Sequence, residues 1–380
     1  MARRNELDAL RGIFLLVMAA VHLPTALSPY ANEPFGYASA AVGFVFLSGF
    51  LIGSIYTPLI LQRGLAYVRG RLFRRARTLY RYHLLLLLML FTAVAAAVKW
   101  SGNQALHHYL SVFFHHPVWA VISSPILVYQ PPLLDILPMY IVFLLLTPSV
   151  LRWAERYGWT AVLVASGAIW IFAQLHGAHL LYGALSTAGL PLPLDAFGAF
   201  DWFGWQLLWV GGLWIGSGQH RWARADILWT RAPSVLAAAF AVTLVFLLWR
   251  HHVGVLPVAV TSRSPLVSKW KLGPLRVLDG AALGLVLTRA LLPILRRVRL
   301  RFLELLGRNS LQVFAAHIPV CVLADGLIGP PHATTPTVLK QTLIVALMVA
   351  VMALVAWKSD SSQRSRSAKA GPLQSGASAR

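Results

Sequence analysis

Arg11-Gly12-Ile13-Phe14-Leu15-Leu16-Val17-Met18-Ala19-Ala20-Val21-His22 sets two ionisable side chains at the ends of one apolar run. An offset of eleven residues is about three α-helical turns. Arg11 and His22 therefore project from nearly the same helix face, roughly 16 Å apart along its axis. The run reads as a membrane-spanning helix, and ionisable groups in such a place are expensive enough to be functional candidates.

The rest of the chain agrees with that reading. Its 380 residues are 58% hydrophobic and only 12% charged, too apolar for an ordinary soluble domain and in keeping with an all-α, polytopic membrane protein. A formal net charge of +21 raises the question of nucleic acid. The basic residues are instead segregated by loop, as membrane topology requires, so no nucleic-acid partner is expected. The single cysteine, Cys321, excludes an internal disulfide framework and a cysteine-based zinc site, and no metal is expected. The N-terminal stretch lacks a small-residue cleavage site, so its first apolar run is expected to stay as a spanning helix.

Ten hydrophobic segments are long enough to cross a bilayer: roughly 10–28, 38–56, 79–98, 134–151, 159–176, 203–219, 234–250, 276–295, 309–327 and 338–357. With a cytoplasmic N-terminus, the inner segments carry 23 Lys and Arg residues and the outer loops only Lys99, Arg263, Lys269 and Lys271. This asymmetry predicts both termini inside. Residues 1–357 read as one membrane domain and 358–380, rich in Ser, Ala and Arg, as a disordered basic cytoplasmic tail. Two longer outer segments, 99–133 and 177–202, are candidates for an outward-facing acceptor surface.

Position within each span places three proton-handling or hydrogen-bonding groups at similar depth: His22, Ser48 and His317. They make a polar pocket if their helices adjoin. A neutral histidine shielded from water can act as a general base, or as a nucleophile that carries an acyl group; equally, it can be a packing residue that hydrogen-bonds a neighbour. Asp8 can pair with Arg11 at i+3 or serve only as a helix-start anchor. Ser48, beside Gly49, can also mark close helix packing. Asp135, which with Tyr140 opens the fourth segment, reads as a cap or as a group facing an acceptor hydroxyl. Gln206 and Asp279 are pocket candidates or interhelical partners. The run Arg74, Arg75, Arg77 and Arg81 can hold the phosphates of a cofactor, or can simply anchor the chain against anionic lipid. His107, His108, His115 and His116 lack metal-motif spacing and read as solvated loop residues.

These pieces together resemble the acyltransferase-3 superfamily of membrane acyltransferases. The resemblance rests on Arg11-x10-His22, the Phe-Leu-Ser48-Gly49 segment, the arginine run, and Gly307-x-x-Ser310-x6-His317. Longer stretches are similar to one branch, the OpgC-type proteins that succinylate osmoregulated periplasmic glucans: Leu7-Asp8-Ala9-Leu10-Arg11-Gly12, Leu79-Tyr80-Arg81-Tyr82-His83-Leu84, Asp135-Ile136-Leu137-Pro138-Met139-Tyr140, Trp205-Gln206-Leu207-Leu208 and Leu305-Leu306-Gly307-Arg308-Asn309-Ser310. The resemblance implies an inner-membrane enzyme of bacteria that passes acyl groups, most simply succinyl from succinyl-CoA, to glucan hydroxyls. It implies His22 as catalytic residue with Arg11 beside it, CoA phosphates on Arg74, Arg75, Arg77 and Arg81, and a supporting pocket from Asp8, Ser48, His317, Asp135, Tyr140 and Gln206. Succinyl and acetyl donors are not told apart, because no residue visibly reads a second carboxylate. The competing readings are an O-acetyltransferase of another envelope polysaccharide and a glycan or lipid transporter whose path the polar groups line.

Overall fold

The computed structural model describes residues 4–187, 189, 191–218, 232–251, 264–329 and 337–370. Arg3, the loop arginines Arg221, Arg224 and Arg231, Arg263 and the last ten residues lie outside that set. Helices make up the described chain, with no strand among the described residues. The principal ones are α1 (Asn5–His22), α2 (Ala40–Met89), α3 (Ile136–Gln174), α4 (Trp202–Gly218), α5 (Pro233–Arg250), α6 (Pro274–Arg297), α7 (Arg301–Arg308), α8 (Ser310–Ile328) and α9 (Val338–Ala370). In lipid a helix satisfies its own backbone groups, and these apolar sequences leave little alternative.

Six helical stretches are long and apolar enough to cross a membrane. One of them, Ala40–Ser101, contains two of the expected segments, and Ile136–Gln174 contains two more. A straight 62-residue helix would be about 93 Å long, three times the hydrocarbon thickness. Each of these stretches is in fact two helices joined at a glycine: Gly64 with φ 79° and ψ 162°, Gly158 with φ 81° and ψ 162°. Only glycine takes that backbone conformation without strain.

Two compact units make up the fold, Met1–Asn32 with Thr288–Arg380, and Glu33–Leu287, with the boundary inside α6. In the first unit α1 packs along α7 and α8, and α9 covers them. Helix α9 runs on into the stretch from 358 that was expected to be unstructured. There Gln363 donates to the side chain of Asn309 at 3.2 Å and Arg364 pairs with Asp360 at 2.8 Å. The amide anchor and the i,i+4 ion pair give this polar stretch a reason to stay helical as far as Ala370.

In the second unit α2, α3 and α4 form the core. The α2–α4 seam is built from glycines on both sides. A Cβ on Gly49 or Gly53 would run into the backbone oxygen of Trp209 or Leu213, and one on Gly212 or Gly216 into that of Phe46 or Phe50. Small residues let backbones approach this closely where lipid offers no hydrophobic drive to associate. Gly212→Leu is therefore expected to lower the thermal midpoint of the detergent-solubilised protein by several degrees or abolish recovery of folded protein. Gly211→Leu, with nothing within 4 Å of a Cβ, should leave the midpoint unchanged.

Candidate functional site

In the first unit two sequence motifs, nearly three hundred residues apart, meet side by side. Asp8, Arg11 and His22 of α1 face Gly307, Ser310 and His317 in the same order, so the two stretches run parallel. Gly307 is seated on the backbone of Asp8 so closely that a Cβ would strike its carbonyl oxygen. Arg11 donates from Nη2 to the hydroxyl of Ser310. Gly12 likewise lies against the carbonyl of Leu303. The Gly-x-x-Ser-x6-His spacing is thus the complement of the Asp-x-x-Arg-x10-His spacing.

At the far end of this seam the two imidazoles stack, with ring centroids 5.5 Å apart and planes at 16°. His22 Nδ1 and His317 Nε2 are 3.2 Å apart. His317 Nδ1 faces the backbone oxygen of Phe314, one turn earlier on its own helix. A carbonyl oxygen can only accept, so the proton of the neutral His317 ring sits on Nδ1 and its Nε2 carries the lone pair. His22 then donates from Nδ1, and the lone pair of its neutral ring is on Nε2. The backbone of α8 thereby sets the tautomer of both rings. His317 is buried and His22 half-buried.

Cys321, one turn after His317, is fully buried beside the pair. His22, His317 and Cys321 each offer a ligand atom, all within 4.8 Å of one another. Counting cysteines in the sequence dismissed this mixed set. Such a trio is chemically able to hold a zinc-like ion, which would require the proton between the rings to leave. The hydrogen-bonded pair and a metal-loaded trio are therefore alternative states of the same residues.

The cluster below Arg11 is ionic. Glu304 receives both Arg299 nitrogens, at 2.8 and 3.0 Å, and Arg308 at 3.2 Å. The hydrogen-bonded Arg299 holds its carboxyl below the usual carboxylate range. Arg308 also reaches Asn5 at 3.1 Å and Asp8 at 3.7 Å. Sequence reasoning passed over Glu304 although its partners Arg299 and Arg308 lie five and four residues away, while the reach of Arg308 to Asn5 spans 303 residues of sequence and could not be read from spacing.

The other expected residues lie in the second unit. Ser48 accepts from the Tyr140 hydroxyl at 3.3 Å, which joins α2 to α3. Gln206 accepts from the Ser166 hydroxyl at 2.7 Å and donates to the carbonyls of Ser166 and Phe203. Every polar atom of that amide is engaged, so Gln206 is an interhelical clamp. Asp279 takes the same role, accepting the backbone N–H groups of Tyr37 and Ala38 at 2.6 and 2.8 Å. Arg74, Arg75, Arg77 and Arg81 are exposed on α2. At 100° per residue Arg74, Arg77 and Arg81 occupy an arc opposite the buried Val68, Leu72, Ala76, Leu79 and His83, and Arg75 sits at the edge of that buried face.

Asp135 precedes α3, but its side chain does not cap that helix. It accepts instead from the backbone N–H of Ala199 at 3.2 Å.

Apolar helices in this number define a multi-pass membrane protein. The family model described as OpgC protein matches residues 3–364, and the chain belongs to that family. Membership makes it an acyltransferase-type enzyme of glucan modification. No curated protein and no solved structure matched the chain.

Proposed function

We propose that the protein is a membrane O-acyltransferase of the acyltransferase-3 superfamily that moves a succinyl group from cytoplasmic succinyl-CoA to hydroxyls of periplasmic glucans. It works in the bacterial inner membrane, with both ends of the chain on the cytoplasmic side. The observation that carries this reading is the hydrogen-bonded series from the Phe314 carbonyl through His317 to His22. It presents His22 Nε2 as the basic nitrogen of a ring whose orientation and tautomer are both held.

The glucan hydroxyl gives its proton to His22 Nε2 as its oxygen attacks the thioester carbonyl. The carbon–sulfur bond then breaks, and the departing CoA sulfur takes the proton back from His22. In the covalent variant the same nitrogen first accepts the acyl group and then passes it to the hydroxyl. Both routes need the lone pair on Nε2, and His317 stabilises the positive charge that His22 acquires. Arg11 sits three turns from His22 and grips Ser310, so it is a positioning residue that joins α1 to α8. The exposed arginine arc on α2 supports a role in holding CoA phosphates, since guanidinium groups pair with phosphate in bidentate fashion.

His22→Ala, at ordinary membrane abundance, is expected to yield periplasmic glucans in normal amount but without succinyl esters, as read by mass spectrometry. Unchanged esterification would sink the assignment; loss of the glucans from the periplasm would point to transport instead. His317→Ala should lower kcat by about 10²-fold or more, leave the KM for succinyl-CoA within about twofold, and alter the pH profile of kcat/KM. A merely structural histidine would not move the pH profile.

A further inference from the structure

The second unit holds a cavity of about 510 Å³ that no step above uses. Ser111, His115 and His116 line one side; Tyr182, Ser186 and Asp195 line it from a separate stretch of chain. The two contributing segments, 99–133 and 177–202, are those the sequence offered as an acceptor surface. They are joined beneath the cavity. Gln130 donates its backbone N–H to Ala196 at 2.8 Å, and Val112, Ala120, Tyr129, Leu192 and Ala196 form one buried cluster. The cavity therefore rests on a packed base.

Its lining selects among ligands. Hydroxyl, imidazole, phenol and carboxylate groups alternate with the flat apolar faces of Pro191, Pro193 and the Tyr182 ring. That mixture suits a molecule with hydroxyls on its edge and C–H groups on its faces, which is a sugar ring. Among the described residues no Lys or Arg lines the cavity, while Asp195 does, so a phosphate or a free dicarboxylate meets no countercharge from them. A lipid chain would leave the polar groups without partners. The His115 Nδ1–H donates to the Ser111 carbonyl at 2.7 Å, which leaves Nε2 as that ring's acceptor for a hydroxyl. The volume lies within the roughly 300–1,000 Å³ of small-molecule sites and admits more than one sugar unit.

We propose that this cavity is a binding subsite for the neutral glucan chain, with Tyr182 stacking on a sugar face and Asp195 and His115 hydrogen-bonding its hydroxyls; it rests on the glucan-acceptor reading above. The test uses the full chain in nanodiscs, with unmodified periplasmic glucan purified from a strain lacking the protein as the probe. Tyr182→Ala and Asp195→Asn are each expected to weaken glucan binding in titration calorimetry about tenfold and to raise the glucan KM similarly. The KM for succinyl-CoA and kcat should stay within about twofold. His22→Ala should bind glucan as the native protein does. Tyr182→Phe, which keeps the ring, should retain most of the affinity and serves as the check on folding. Unchanged glucan binding in both Tyr182→Ala and Asp195→Asn overturns the subsite, as does an absence of glucan binding by the native protein. If the cavity variants lose binding while His22→Ala keeps its transferase activity, the subsite stands and the catalytic assignment of His22 falls.

Discussion

The parallel seam between α1 and the α7–α8 pair is the constraint on which the candidate chemistry depends. Gly307 brings the backbones together at Asp8, Ser310 receives Arg11, and the two histidines meet at the far end. Each contact sets the register for the next. A side chain at 307 would hold the helices apart, and a separation of even 1 Å would break a 3.2 Å contact between imidazoles. The ionic cluster of Arg299, Glu304, Arg308 and Asp8 secures the same seam from its other end. A group that must hold one tautomer needs this kind of support, because ring orientation decides which nitrogen meets the substrate.

The second unit uses a different device. Its helices are drawn together by glycine faces and fastened by single polar pairs: Tyr140 with Ser48, Gln206 with Ser166, Trp209 with Thr147 at 3.0 Å. A buried ion pair, Glu33 with Arg276 at 2.7 Å, and the carboxylate of Asp279 hold the segment that leads into α2. Arg276 also donates to the carbonyls of Tyr37 and Val267, and Glu33 pairs with Arg250 at 3.5 Å, so each charge has a partner beyond the other. These polar groups have structural work enough to account for them. The cavity between the two long connecting segments is different, because hydroxyl, imidazole, phenol and carboxylate groups from both segments line it.

Helix content was legible in the sequence because hydropathy reports it directly. The glycine joints at 64 and 158 were not, since a run of apolar and basic residues looks continuous whichever backbone angles one glycine adopts. The helical extension past residue 357 was hidden for a related reason: a Ser/Arg-rich composition says nothing of an anchor such as Gln363 to Asn309. His22 stood out as an ionisable group in an apolar run. Its partner could not be read off, because the bond to His317 spans 295 residues of sequence. Motif spacing proposed both histidines, but only coordinates could pair them, assign their tautomers and add Cys321. Asp135 was recognised, and its reading as a cap failed because the side chain turns to Ala199 instead.

The central claim is that the acyl group is transferred at His22 Nε2. The direct measurement is an experimental structure of the full protein with a non-reactive succinyl-CoA analogue in which a methylene group replaces the thioester sulfur. The account predicts the acyl carbonyl carbon within about 3.5 Å of His22 Nε2, with the His22–His317 contact kept. An acyl carbonyl bound away from α1, with His22 still paired to His317, would contradict it.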